Sequence, residues 1–158
     1  VVLIFRITHD YTVASARALS TLGTPSTPFK YIFVSGMGAD QAEKGWAIFS
    51  RVKGRAEKAL VNIENESDNS FRAVNIRPGG IIPTDERKAQ LPWLARVGVP
   101  LLGYVMPSRM IHANDVATAA LQLAATEDGW EKRDKEQLII ENDGLNEIAK
   151  RYAQVWQS

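Results

Sequence analysis

Residues 33–41, FVSGMGADQ, end an apolar run on two glycines, Gly36 and Gly38, set one residue apart. How this stretch is read decides the fold. A dinucleotide-binding turn needs three glycines: one for the tight turn, one for close backbone approach to pyrophosphate, and one where helix meets strand. Here the third position is Gln41, and Asp40, Glu43 and Lys44 precede a further glycine, Gly45, so no helix opens at once to offer its N-terminus to an anion. The stretch reads as a strand end turning into a surface loop. The strand itself, KYIFVS at 30–35, is β-branched and aromatic with apolar residues on both faces, as in a covered parallel sheet.

Outward from that strand, helix and strand patterns alternate. DYTVASARALSTL, residues 10–22, has helical spacing with Asp10 or Thr12 able to cap, and a loop through Gly23, Pro25 and Pro28 follows. VVLIF, residues 1–5, reads as a buried strand. Downstream, WAIFSRVKGRAEKALVNI (46–63) sets Phe49, Val52, Ala56, Ala59, Leu60 and Ile63 on one stripe of a long amphipathic helix. FRAVNIRPGG (71–80) is a second strand, ended by Pro78-Gly79-Gly80. Residues 83–110 carry Pro83, Pro92, Pro100 and Pro107 among Trp93, Leu94, Leu101, Leu102 and Tyr104, which suggests a short helix and irregular, partly apolar structure. MIHANDVATAALQLAA (110–125) gives a helix with Asn114 or Asp115 as cap. The polar run EDGWEKRDKE reads as a solvated loop, QLIIEN as a short strand, and GLNEIAKRYAQVW as a last helix with Ile148, Tyr152 and Val155 on one face. Alternation without hairpin signals argues for an α/β fold, a largely parallel sheet and a single domain over residues 1–158.

Composition removes several classes of function. Lys plus Arg is 19 against 18 for Asp plus Glu, so no global field draws nucleic acid or an anionic membrane. The chain has no cysteine, which excludes disulfides, thiolate metal sites and cysteine nucleophiles. Its two histidines, His9 and His112, are far apart and show no metal-ligand spacing with carboxylates. The four tryptophans fall at irregular intervals, unlike a base-stacking platform. VVLIF is too short to span a bilayer and has no basic leader. A cytoplasmic protein acting on a small molecule, with neither nucleic acid nor membrane as partner, is the expectation.

In parallel α/β sheets ligands bind beyond the carboxyl ends of the strands, which directs attention to Ser35, Gly36, Arg77, Pro78, Gly79 and Gly80. The following helix brings Phe49 and Lys53, four residues apart, to one side. Taken alone, Lys53 and Glu57 are an i, i+4 pair that any solvated helix could show.

Six stretches carry a family likeness: RITHDYTVASARAL, FVSGMGAD, FSRVKGRAE, NIRPGGIIP, MIHANDVATAAL and QLIIEN. Over residues 6 to about 150 the chain resembles the short-chain dehydrogenase/reductases. It looks closest to their atypical branch of Tat-interacting-protein-like and nucleoside-diphosphate-sugar-epimerase-like proteins. Val52-Lys53-Gly54-x-x-Glu57 is the most specific element. The resemblance implies a partial Rossmann-like, doubly wound, mostly parallel sheet and NAD or NADP as cofactor. It implies that Ser35 hydrogen-bonds a substrate oxygen, that Lys53 holds the nicotinamide ribose, and that Pro78, Gly79 and Gly80 lie beside the nicotinamide. Arg77 would serve the structure.

Two departures from the family pattern matter. Where the family has its acid tyrosine, four residues before the lysine, this chain has Phe49, and a phenyl ring can neither give nor take a proton. The family's N-terminal βαβ nucleotide unit, with its G-x-x-G turn, is also absent, and VVLIF runs straight into RITHDY. The expectation is a C-terminal portion, a fragment or truncated product, that does not hold NAD or NADP tightly by itself. An oxidoreductase or epimerase is then one reading. A non-catalytic nucleotide-sensing or interaction protein, or a truncated remnant, is the other. Arg51, Arg55 and Lys58 charge one face of the lysine helix, which favours a monomer or weak dimer.

Overall fold

The computed structural model describes residues 2–88, 90, 92, 107–127, 130 and 138–152. The chain opens with a helix, α1 (Val2–Phe5), which passes through a π-helical turn at Arg6–Asp10 into α2 (Tyr11–Ser20). Then come β1 (Phe29–Val34), α3 (Ile48–Glu66), β2 (Phe71–Arg77), β3 (Gly80–Ile82) and the short α4 (Asp85–Lys88). After a 3-10 turn at Pro107–Arg109 follow β4 (Met110–His112), α5 (Ala113–Ala125), β5 (Leu138–Glu141) and α6 (Asn142–Tyr152). The result is a mixed α/β fold with a three-stranded sheet ordered β1-β2-β5 and a separate two-stranded sheet, β3-β4. Every ladder is parallel: Phe29 pairs with Phe71, Val74 with Leu138 and Gly80 with Met110 at the starts of the three registers.

The central strand explains the layering. β2 reads F-R-A-V-N-I-R, apolar on both faces, and each face is covered by helices. Phe71 and Ala73 pack with Ala16 of α2 and Leu60 and Ile63 of α3. Val74 and Ile76 pack on the other side with Leu138, Val116, Ala119 and Leu123 of α5, and Leu145 of α6. Each such large side chain, taken fully out of water, contributes about 1.5–3 kcal/mol. Among the described residues no helix is long and apolar enough to cross a membrane.

Four expectations need correction. Residues 2–5 are helical, not a buried strand, and Leu3 is 67% exposed. A short apolar run does not separate helix from strand by periodicity. The helix is favoured here by one local and one tertiary contact: Phe5 stacks on His9, four residues on, at 4.7 Å, and the Arg55 guanidinium of α3 lies 5.2 Å from its ring centre. Phe49 lies outside the buried stripe of α3, which instead runs through Val52, Gly54, Ala56, Glu57, Leu60, Ile63 and Glu64. The N-cap of α5 is His112 in extended conformation with no side-chain cap bond, so neither Asn114 nor Asp115 caps it. Trp130, read as part of a solvated loop, is a core residue: it is buried, donates to Leu123 O at 2.7 Å, and is flanked by Lys30 and Arg72. The apolar segment around Trp93, Leu101 and Tyr104, the helix end at Val155 and residues 131–137 of the polar run lie outside the described residues.

Gly54 sets how closely α3 approaches the loop after β1. A Cβ there would fall on the backbone of Asp40 and Gln41. No flexible side-chain tip is available to yield, so Gly54→Ala should destabilise by about 1–3 kcal/mol despite the better helix propensity of alanine. A fall in the urea midpoint at unchanged slope checks this; an unchanged or raised midpoint contradicts it.

Candidate functional site

The carboxyl ends of β1 and β2 meet the first half of α3, and the residues between are polar. Met37 N donates to Pro78 O at 2.9 Å and Ser35 N to Ile76 O at 2.8 Å, so the two strand ends leave the sheet side by side. The loop beyond is held by Asp40. Its carboxylate accepts from Gly45 N at 2.6 Å and Ala42 N at 2.9 Å, and these backbone bonds, Gly45 foremost, keep its pKa below the usual carboxylate range. Glu43 then forms a two-bonded ion pair with Arg55 of α3. The run GMGADQ is therefore a folded loop braced against α3, with Gln41, at the missing third glycine, turned to another task.

That task is Glu57. Its side chain has no exposed surface. Arg77 Nε and Nη2 donate to its two oxygens at 2.9 and 2.6 Å, and Gln41 Nε2 donates at 2.8 Å. Burial alone would push this carboxyl up; the Arg77 hydrogen bonds, helped by Ser35 and Gln41, outweigh it and hold the pKa below the ordinary value. Arg77 is shifted upward by the same bonds and by Glu141, whose Oε1 accepts from its Nη1 at 2.9 Å. Glu57 thus belongs to a buried ion pair, and the Arg77 guanidinium is occupied by Glu57 and Glu141.

Lys53 stands one turn before Glu57. Its Nζ donates to the Ser35 carbonyl at 2.6 Å, and burial lowers its pKa against the opposing pull of Glu57. Gly36 leaves room for it: a Cβ there would be 3.2 Å from Nζ. Ser35 itself is 2% exposed. Its hydroxyl lies near enough to Glu57 to help keep that acid ionised, but short of a well-formed hydrogen bond, and it has no other partner among the described residues. Phe49 is 59% exposed at the start of α3. Tyr31 is engaged with Ser15 at 2.8 Å. Ser35 and Lys53 are thus brought together, whereas Phe49 stands out in solvent.

Pro78, Gly79 and Gly80 form one wall of a cleft of about 420 Å³, with Gly36, Met37 and Arg109 around it. The glycines have a packing reason to be there. A Cβ on Gly79 would strike the Arg109 carbonyl, and one on Gly80 would strike the Met110 sulfur. Two residues that the sequence reading passed over complete the region. Asn142, 3% exposed, accepts from Gly79 N at 2.8 Å and donates to Ser108 O at 2.9 Å, tying α6 to the cleft wall. Asn75 is fully buried in β2 with both amide atoms unpartnered among the described residues. A polar residue inside an apolar strand was the available signal. A second cleft, about 560 Å³, lies behind Met110 and carries Asp115, Asp143, Glu147, Lys150 and His112.

No protein-family model matches the chain, and no curated protein matches it.

The ion pair gives a test with a sign. Because the folded pKa of Glu57 is depressed, its contribution is complete above the unfolded value, about 4.3, and is lost as pH falls through the folded pKa. Glu57→Gln should cost about 3 kcal/mol at pH 7, since it leaves the partly buried Arg77 with Glu141 as its remaining carboxylate partner. The variant should also lose less stability than the parent between pH 7 and pH 3. Urea midpoints at the two pH values decide it; parallel losses would refute the assignment.

Proposed function

We propose that this chain carries the substrate side of a nicotinamide-dependent reductase or epimerase-type site on a partial Rossmann-like sheet, with Phe49 in place of the acid tyrosine. One observation carries the reading: the Lys53 ammonium, bonded to the carbonyl of Ser35, adjoins a glycine-walled cleft at the carboxyl ends of parallel strands, where α/β sheets bind ligands. The residues present fit the nicotinamide end of NAD or NADP. Lys53 would hold the ribose, with Pro78, Gly79 and Gly80 beside the ring. They do not fit the pyrophosphate, because the sequence has no three-glycine turn opening a helix. When bound, the cofactor would supply hydride.

What the chain's own residues contribute to chemistry is limited. Lys53 has N–H groups beyond the one given to Ser35 and can donate to hydroxyls. The Ser35 hydroxyl must turn from the Glu57 side to meet a substrate. Phe49 holds no proton, so a developing alkoxide goes without its acid, a deficit of roughly 10²–10⁴-fold. These last two points favour the second reading, a non-catalytic nucleotide-sensing protein using the same cleft. A chain of this kind in the cytoplasm, monomeric or weakly dimeric, suits either.

Three measurements test the proposal. Calorimetric titration with NADPH should show no micromolar binding to the 158-residue chain; micromolar affinity would mean that pyrophosphate contacts exist elsewhere. The neutral probe 1-benzyl-1,4-dihydronicotinamide should shift the Gly36, Gly79 and Gly80 amides in nitrogen-edited NMR spectra, and absence of those shifts removes the cleft assignment. With that probe as hydride donor, Phe49→Tyr should raise the reduction of an activated aryl ketone at least about tenfold. An unchanged rate with intact binding selects the sensing reading.

A further inference from the structure

Three cations surround the carboxyl ends of β1 and β2, and their surroundings differ. Arg77 is spent on Glu57 and Glu141. Lys53 is half-buried and bonded to the Ser35 carbonyl. Arg109, in the 3-10 turn before β4, is exposed, and among the described residues it has no ion-pair partner and is the one charged residue lining the 420 Å³ cleft. The rest of the lining among the described residues is uncharged and largely apolar. Met37 and Met110 reach over the bare backbone of Gly79 and Gly80, giving a soft thioether surface that adapts to flat apolar groups. The adjoining cleft, which shares Met110, carries Asp115, Asp143 and Glu147 against Lys150, so its described lining is net acidic and disfavours an anion that strays beyond the first cleft.

We infer that the ligand of this cleft is a small apolar, planar molecule bearing an oxyanion, a carboxylate or phosphate, and that Arg109 is the residue that selects for it. The inference rests on the reading of the cleft given above and adds its substrate class. A guanidinium binds a planar oxyanion through two parallel N–H donors, which a neutral amide of the same shape cannot match. The body of the molecule lies against the methionines and the glycine wall. The geometry also separates the side chain from the scaffold: the backbone of Arg109 packs close against Gly79 while its side chain is exposed, so the side chain can be changed without disturbing that packing.

The test uses benzoate, phenyl phosphate and neutral benzamide as probes, with 1-benzyl-1,4-dihydronicotinamide as an uncharged marker of the cleft. Binding to the wild type, Arg109→Met and Arg109→Lys is read from the Gly36, Gly79 and Gly80 amide signals. Wild type should bind benzoate or phenyl phosphate about tenfold more tightly than benzamide. Which of the two anions is preferred identifies the group. Arg109→Met should reduce the anion to the level of benzamide and leave the dihydronicotinamide unchanged, and Arg109→Lys should recover part of the preference. Equal binding of benzoate, phenyl phosphate and benzamide to wild type, or anion affinity unaffected by Arg109→Met, overturns the inference. Retained dihydronicotinamide shifts in that case leave the nicotinamide reading standing. Arg109-dependent anion binding without any dihydronicotinamide shift does the reverse: the oxyanion site stands and the nicotinamide reading falls. If no probe binds, both fall.

Discussion

A carboxylate with no exposed surface is tolerable only if its charge and lone pairs are met, and Glu57 is met by three N–H donors from two separate segments. Arg77 brings the end of the central strand, Gln41 brings the loop after β1, and α3 brings the carboxylate itself. Removing any one leaves the others with a buried, unmatched polar group. The arrangement costs more to break than apolar packing of similar size, and it admits one alignment of helix, strand end and loop. Lys53, Ser35 and the cleft inherit their positions from that alignment.

A second constraint closes the other side. Asn142 begins α6 and at the same time bonds Gly79, Ser108 and Met110 through its amide. Its carbonyl oxygen takes the N–H of Gly79 in the glycine wall, and its amino group holds the 3-10 turn carrying Arg109. The cleft wall is thus fixed from the far end of the chain, while the loop opposite is fixed from α3. A ligand meets a wall whose Gly79 donor is already used, and meets the side chains of Met37, Met110 and Arg109 around it.

The parallel sheet and its order of elements were legible because β1, β2 and β5 are short apolar runs separated by strongly periodic helices, and periodicity reports burial directly. The same reasoning failed at VVLIF, where five apolar residues satisfy either period and contacts with Arg55 and His9 favour the helix. It failed again at Trp130, because the surrounding charges describe the loop and not the indole, which Lys30 and Arg72 flank while Glu127 pairs with both cations. Lys53 and Ser35 were singled out by the family likeness together with their places on the helix after β1 and at its tip, and the structure sets the Lys53 ammonium on the Ser35 carbonyl. The burial of the Ser35 hydroxyl, the pairing of Glu57 with Arg77 across twenty residues, and the clasp of Asn142 depend on distances that no local pattern encodes.

The register of the sheet bears on how the chain acquires its structure. β1 and β2, with α3 between them, can form as one continuous unit, but β2 gains its second neighbour only from Leu138–Glu141, more than sixty positions later. The apolar side of β2 that carries Val74 and Ile76 is covered by α5, Trp130, β5 and Leu145, all late in the chain. Such distant pairing is entropically slow. During synthesis, then, the first half leaves the ribosome with one face of its central strand bare, and this half-finished sheet is the stage at which a chaperone has a surface to hold.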